Sequence, residues 1–181
     1  MAVIIKNDKQ IEGIRRSCRL ASETLNYLTP FVKEGVSTEE INRLTHRFIT
    51  DHQAKPAPLR YQGFPKSVCT SINDVVCHGI PSEKEILKEG DILNIDVTTI
   101  LDGYYGDTSR MFLIGKVGKE ARLLVERTYE AMMRAIKNLG PGKYLNDCVG
   151  RPIEEYLQSF GYASVRELCG HGVGIEFRSP H

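Results

Sequence analysis

The chain has 181 residues, 41% hydrophobic and 26% charged, with a formal net charge of +1 at pH 7. These are ordinary globular proportions, enough for one buried core, and the near-neutral charge argues against a nucleic-acid or membrane-surface partner. The apolar run in Met-Ala-Val-Ile-Ile-Lys is too short for a signal peptide or a membrane span, and five cysteines without a Cys-x-x-Cys pair point to a reduced, cytoplasmic setting.

The first organised segment is a helix. Asp8 is its expected cap, and Ile11, Ile14, Cys18, Ala21, Leu25, Leu28 and Val32 recur at three- and four-residue steps, one apolar stripe to be buried in the domain's own core. Pro30 should disturb its last turn, and Gly35 should end it. Ser37 and Glu40 form a capping box for a second helix, with Ile41, Leu44, Phe48 and Ile49 on its buried face and His46 and His52 as surface histidines. Ala54–Pro65 holds three prolines and a glycine and reads as a loop in which Tyr61 and Phe64 either plug a core or line a pocket. Strands are expected at Ser67–Ile72 and Val75–Cys77, turning at Asn73-Asp74. Gly79 and Pro81 then break the chain just after His78, leaving an imidazole at a strand end.

Asp91–Ile114 carries the strongest chemical signal. Asp102-Gly103 between β-branched and aromatic residues is a two-residue hairpin turn. Taken literally, it sets Leu101 opposite Tyr104, Thr98 opposite Asp107 and Asp96 opposite Ser109. Side chains alternate along a strand, so Asp96, Thr98 and Asp107 share one face. The two aspartates are then diagonal neighbours, roughly 7–8 Å apart at Cβ, within reach of one ion. A register slip of one residue would separate them. Like charges so placed call for compensation, and oxygen with imidazole ligands suits several divalent metals.

The plan then repeats. Lys119–Leu139 reads as a helix with Leu124, Thr128, Ala131, Met132, Ala135 and Leu139 on one face, stopped by Gly140-Pro141-Gly142. A further helix spans Leu145–Phe160 with a kink at Pro152. Ser164–Leu168 is an expected strand, and His171-Gly172-Val173 answers His78-Gly79-Ile80. The repeat predicts a second hairpin after His171.

Four motifs stand in order: Ser71-Ile72-Asn73-Asp74-Val75-Val76-Cys77-His78-Gly79-Ile80-Pro81, Asn94-Ile95-Asp96-Val97, Gly106-Asp107-Thr108-Ser109 and Cys169-Gly170-His171-Gly172-Val173-Gly174. Together they closely resemble methionine aminopeptidases of type I. The resemblance implies an α+β chain of the pita-bread (creatinase/aminopeptidase) fold, two pseudo-symmetric halves of paired helices plus a β-hairpin. Residues 1–181 would form a single metallo-aminopeptidase domain with its second half truncated. It also implies two divalent metal ions (Co, Mn, Fe or Zn), with Asp96, Asp107 and His171 as ligands. His78 is implied as the catalytic, substrate-contacting histidine, and Tyr61, Phe64, Cys69 and Phe177 as the methionine pocket, which turns Tyr61 and Phe64 towards the pocket alternative.

The implied reaction is attack of a metal-activated water on the first peptide bond, releasing the N-terminal methionine of nascent polypeptides. The implied setting is a cytoplasmic monomer, with the ribosome exit region as a further partner.

The chain also departs from the family pattern. The family continues beyond this length and supplies two more metal ligands, both glutamates. After Phe177 it reads His-Glu and then proline, where this chain reads Arg178-Ser179-Pro180-His181. A non-catalytic module of the same fold, binding peptides or the ribosome, is therefore a second reading. A proline-directed peptidase is a third, disfavoured by the residues around His78.

Overall fold

A computed structural model describes residues 4–178. Helix α1, Asp8–Leu28, is capped one residue earlier than expected. Asn7 Oδ1 accepts from the Gln10 amide at 3.0 Å, and Gln10 Oε1 accepts from the Asn7 amide at 2.9 Å. This reciprocal pair satisfies two amides, and Asp8 falls in the first turn, where a negative charge suits the helix dipole. The buried face keeps Ala21, Leu25 and Leu28 of the expected stripe but departs from it towards the N-terminus. Ile11 is 42% exposed, and the inward side is built from Gly13, Ser17, Leu20, Ala21, Thr24, Leu25 and Leu28.

The reason is the closeness of α1 to the sheet. Ser17 Oγ donates to Thr99 Oγ1 at 2.8 Å, and Thr99 Oγ1 donates back to the Ser17 carbonyl at 2.9 Å. A Cβ added at Gly13 would overlap the Tyr104 ring. Only small side chains fit such a crossing.

Helix α2, Thr38–Asp51, starts where Ser37 Oγ accepts from the Glu40 amide at 3.1 Å. Its Ile41, Leu44 and Ile49 join Leu25 and Leu28 of α1 in the main core, with Phe48 half-buried beside them. The short strand β1, Lys55–Pro56, follows, then β2, Cys69–Ile72, and the long hairpin of β3, Ile92–Leu101, and β4, Tyr104–Leu113. All pairings are antiparallel, and β3 is central: β4 lies along its whole length, so β1 and β2 share its other edge.

The register is the one expected, Leu101 with Tyr104, Thr98 with Asp107 and Asp96 with Ser109. Asp102 and Gly103 have φ of 52° and 82°, the two positive values that a turn matching strand twist requires. Along β3, Leu93, Ile95 and Val97 are fully buried in the core shared with α1 and α2. Asn94, Asp96 and Thr98 therefore project from the opposite face.

Val75–Cys77 forms no strand. The Asn73 side chain ties the turn to β3, accepting from the Ile92 amide at 3.0 Å and donating to Asp91 at 2.9 Å. The returning chain meets β2 again where Thr70 N donates to the Gly79 carbonyl at 2.9 Å, and Val75 and Val76 stay exposed. β-branched residues without a ladder partner do not make a strand.

The chain divides into two compact units, the stretch through Val117 joined by the stretch from His171, and Gly118–Gly170. In the second, α3, Lys119–Asn138, buries Ala131 and Ala135, while Leu124, Met132 and Leu139 remain largely exposed. A π-helical turn, Asn146–Gly150, leads into α4, Arg151–Gln158, in place of one kinked helix. Pro152 lies in the first turn of α4, where its missing N–H costs nothing. The guanidinium of Arg134 stacks over Tyr156 at 4.0 Å, and that phenol donates to Glu130 at 2.5 Å. Ser164–Leu168, expected as a strand, is irregular; Ser164 donates its hydroxyl to Glu154 instead. The described residues after His171 form bends rather than a second hairpin. Ser179, Pro180 and His181 lie outside the described residues.

Candidate functional site

A cleft of about 340 Å³ opens on the sheet face away from α1 and α2. Its floor follows from the hairpin register: Asp96 and Thr98 from β3, and Asp107 from β4. Thr98 Oγ1 donates to Asp107 Oδ1 at 3.0 Å, which holds that carboxylate in place. Burial, the negative charge of Asp107 and a hydrogen bond between the two carboxyls push the Asp96 carboxyl up to about 7. The pair therefore holds on to a proton in a range where an isolated aspartate would have lost it.

Cys69 stands directly opposite Asp96 in the β2–β3 register and enters the same cleft. Burial above all, then the charge of Asp96, pushes its thiol up to about 12. It remains a neutral, compact apolar group, neither nucleophile nor thiolate ligand.

The aromatic wall is assembled from two distant segments. In the Ala54–Pro65 loop, Tyr61 is flanked by Arg60 and Gln62, both left-handed at φ 69° and 48°. The loop closes on itself through Tyr61 N to the Pro58 carbonyl at 2.9 Å and Arg60 N to the Phe64 carbonyl at 2.8 Å. From the far end of the chain, Phe177 meets the Tyr61 ring edge-on at 4.6 Å and stacks over Tyr105 at 5.7 Å. Tyr105 N also donates to the Gly174 carbonyl, anchoring that segment to β4 at 2.6 Å.

His78 is exposed and left-handed, with φ 54°, rather than at a strand end. Its placement is due to Gly79, whose amide donates to Ser71 Oγ at 3.2 Å. A Cβ at Gly79 would lie 2.0 Å from the Thr70 carbonyl oxygen, so only glycine lets the chain pass this close to β2. His171 Nδ1 lies 3.1 Å from the Gly172 carbonyl. A carbonyl only accepts, so Nδ1 is the donor in this contact and Nε2 is the ring nitrogen left for a ligand.

All eight site residues expected from the sequence, His78, Asp96, Asp107, His171, Tyr61, Phe64, Cys69 and Phe177, line this one cleft. Thr98 and Arg178 also line the cleft without a role expected from the sequence, and Tyr105 backs Phe177. Thr98 was legible as the residue facing Asp107; Tyr105 and Arg178 depend on the return of the chain from His171.

The donor set suits a cation. Two carboxylates facing one another in a half-buried site are the arrangement a divalent ion relieves, and an imidazole lone pair is available on the same cleft. Among the described residues no group of three His, Cys, Asp or Glu side chains draws close enough to hold an ion by itself. Asp96 and Asp107 form the nucleus of the site, and His171 stands on its wall.

A pH dependence follows. Asp96 binds its proton more tightly in the folded chain, at about 7, than unfolded, at about 4. Its contribution to stability is therefore fullest below about pH 4 and is lost as pH rises through about 7. A cation bound there would displace the proton, so metal protection should grow with pH. Thermal melts should show manganese raising Tm more at pH 8 than at pH 5, and Asp96→Asn should remove that difference. Equal gains at both pH values in the unsubstituted chain would contradict it.

The model of metallopeptidase family M24 matches residues 12–181. The chain is 51% identical to the methionine aminopeptidase of Rickettsia prowazekii, covering 98% of itself and 68% of that protein. It is 47% identical to the methionine aminopeptidase of Escherichia coli K12, covering 67% of it. The crystal structure of the Rickettsia prowazekii enzyme superposes with a TM-score of 0.96 at 49% identity, over 99% of this chain and 72% of that one. The chain thus spans about two thirds of the length of these relatives.

Proposed function

We propose, for a chain that belongs to metallopeptidase family M24 with its α+β pita-bread fold, and within it to the methionine aminopeptidases, that the Asp96–Asp107 cleft is where a peptide loses its N-terminal methionine. The observation that carries this reading is the carboxylate pair set beside an aromatic-walled cleft. Asp96, Asp107 and His171 are the residues that would hold the metal, and their oxygen and nitrogen donors suit Mn, Fe, Co or Zn. Such an ion supplies a water nucleophile at neutral pH and polarises the peptide carbonyl.

The remaining roles belong to the chain itself. Tyr61, Phe64, Phe177 and the neutral thiol of Cys69 enclose the unbranched thioether, which is recognised by shape and soft contacts. Thr98 donates to one oxygen of Asp107 and so holds the carboxylate that would bind a cation. His78, held at the cleft by the pinned Gly79 backbone, hydrogen-bonds the substrate beside the scissile bond. The substrates are nascent polypeptides in the cytoplasm, presented near the ribosome exit to a monomeric enzyme. Among the described residues no helix is long and apolar enough to cross a membrane.

Incubation with manganese and the peptides Met-Ala-Ser and Ala-Pro-Ser tests this reading. Free methionine from the first and nothing from the second is the expected outcome; cleavage of Ala-Pro-Ser alone would overturn it. His78→Ala should lower kcat/KM about 10²-fold while metal content stays constant. Loss of bound metal in that variant would instead place His78 among the ligands.

A further inference from the structure

We propose that Arg178 is a specificity-determining residue, taking a substrate carboxylate within two residues after the N-terminal methionine. The inference rests on the reading of the cleft as a methionine-peptide site. Arg178 lines the cleft that holds Asp96, Asp107 and the aromatic wall. Its position is set by its neighbour: Phe177 is held by the rings of Tyr61 and Tyr105, and Gly174 is tied to β4. Arg178 thus follows directly on an anchored residue.

Among the described residues the Arg178 side chain makes neither a hydrogen bond nor an ion pair, although Glu176 is two positions away. A guanidinium presents a planar fork of donors that matches a carboxylate in two parallel hydrogen bonds. A peptide with methionine's side chain among the aromatic rings and its first peptide bond at the carboxylates leaves its following residues to the rest of the cleft, which Arg178 lines. The anionic groups a short peptide offers there are its own C-terminal carboxylate and the side chain of an acidic residue. Asp96 and Asp107 repel both, so a preference for an acidic peptide requires a cation on the wall.

Binding measured by NMR titration in EDTA, where no turnover occurs, tests the assignment with two peptide pairs. Met-Ala against Met-Ala-amide reads the chain terminus, and Met-Ala-Asp-amide against Met-Ala-Asn-amide reads the side chain. The acidic member of at least one pair should bind about fivefold more tightly, the upper end for a solvent-exposed pair. Arg178→Gln should abolish that preference, and Arg178→Lys should restore part of it. Equal affinities within both pairs, or a preference that survives Arg178→Gln, would overturn the role of Arg178 alone. Failure of all four peptides to bind would overturn the methionine-peptide reading, and this assignment with it.

Discussion

Asp107→Asn is expected to abolish divalent-metal binding and methionine release while making the metal-free chain more stable. Both effects have one cause. Asparagine keeps the shape of the side chain and the oxygen that accepts from Thr98, so the hairpin register is undisturbed. It removes the negative charge that faces Asp96. Without that charge the Asp96 carboxyl is held less far above its ordinary range, though burial still raises it. The metal-free chain should gain on the order of 1 kcal/mol at pH 8, where both carboxylates would otherwise be ionised together. Metal affinity should fall by more than about 10²-fold, the upper end of the loss seen when a residue merely hydrogen-bonded to a ligand is removed. Metal content and thermal melts of the two proteins read both effects. A variant that keeps its metal, or melts lower than the parent without metal, would contradict the assignment of Asp107.

Gly106→Ala is expected to be the most damaging single methyl group in the hairpin. An added Cβ would lie 2.3 Å from the Cys18 amide nitrogen and 2.3 Å from the Ser17 carbonyl carbon. These are backbone atoms of α1 and cannot rotate away. The helix must lift from β4, stretching the Ser17–Thr99 hydrogen bonds and disturbing the strand that carries Asp107. Overpacking of this kind costs about 3 kcal/mol, or a Tm lower by roughly 6–12 °C at this size. Gly103→Ala is the natural control. Its φ of 82° strains alanine, yet no atom lies within 4 Å, so only the backbone strain of about 1 kcal/mol should register. Equal melting temperatures for Gly106→Ala and the parent would show that the close crossing of α1 over β4 is not maintained in solution.

The hairpin was legible from sequence because its register depends on two adjacent residues. Asp102 and Gly103 both take positive φ, and once they do, every cross-strand pair from Leu101–Tyr104 to Asp96–Ser109 is set. The carboxylate pair follows from that register by alternation alone. The buried face of α1 was not legible in the same way. Apolar periodicity selects Ile11, but the inward side is Gly13 and Ser17 because Tyr104 and Thr99 press against it, the latter 82 residues away in the chain. Small residues carry no hydropathy signal, so a close crossing is invisible until its partner is known. The expected strands at Val75–Cys77 and Ser164–Leu168 failed for a related reason: β-branched content describes a strand only where a neighbouring edge completes the ladder.

The site divides along the same line. Asp96, Asp107 and Cys69 reach the cleft by strand register, which is local. His78 needed Gly79 to pass within contact of β2, and Phe177 needed Tyr61 and Tyr105 from separate segments. Those positions came from family motifs, not from periodicity. Arg178 escaped both routes, because the family pattern leads one to look for an imidazole there.

The most direct test of the carboxylate pair as a metal site is calorimetric titration with manganese at pH 6 and pH 8, in buffers of different ionisation enthalpy. With Asp96 titrating at about 7, manganese uptake should displace about one proton from it at pH 6 and close to none at pH 8. Saturable uptake whose proton release falls between these limits as pH rises is the predicted result. No uptake, or uptake that releases no proton at pH 6, would contradict it.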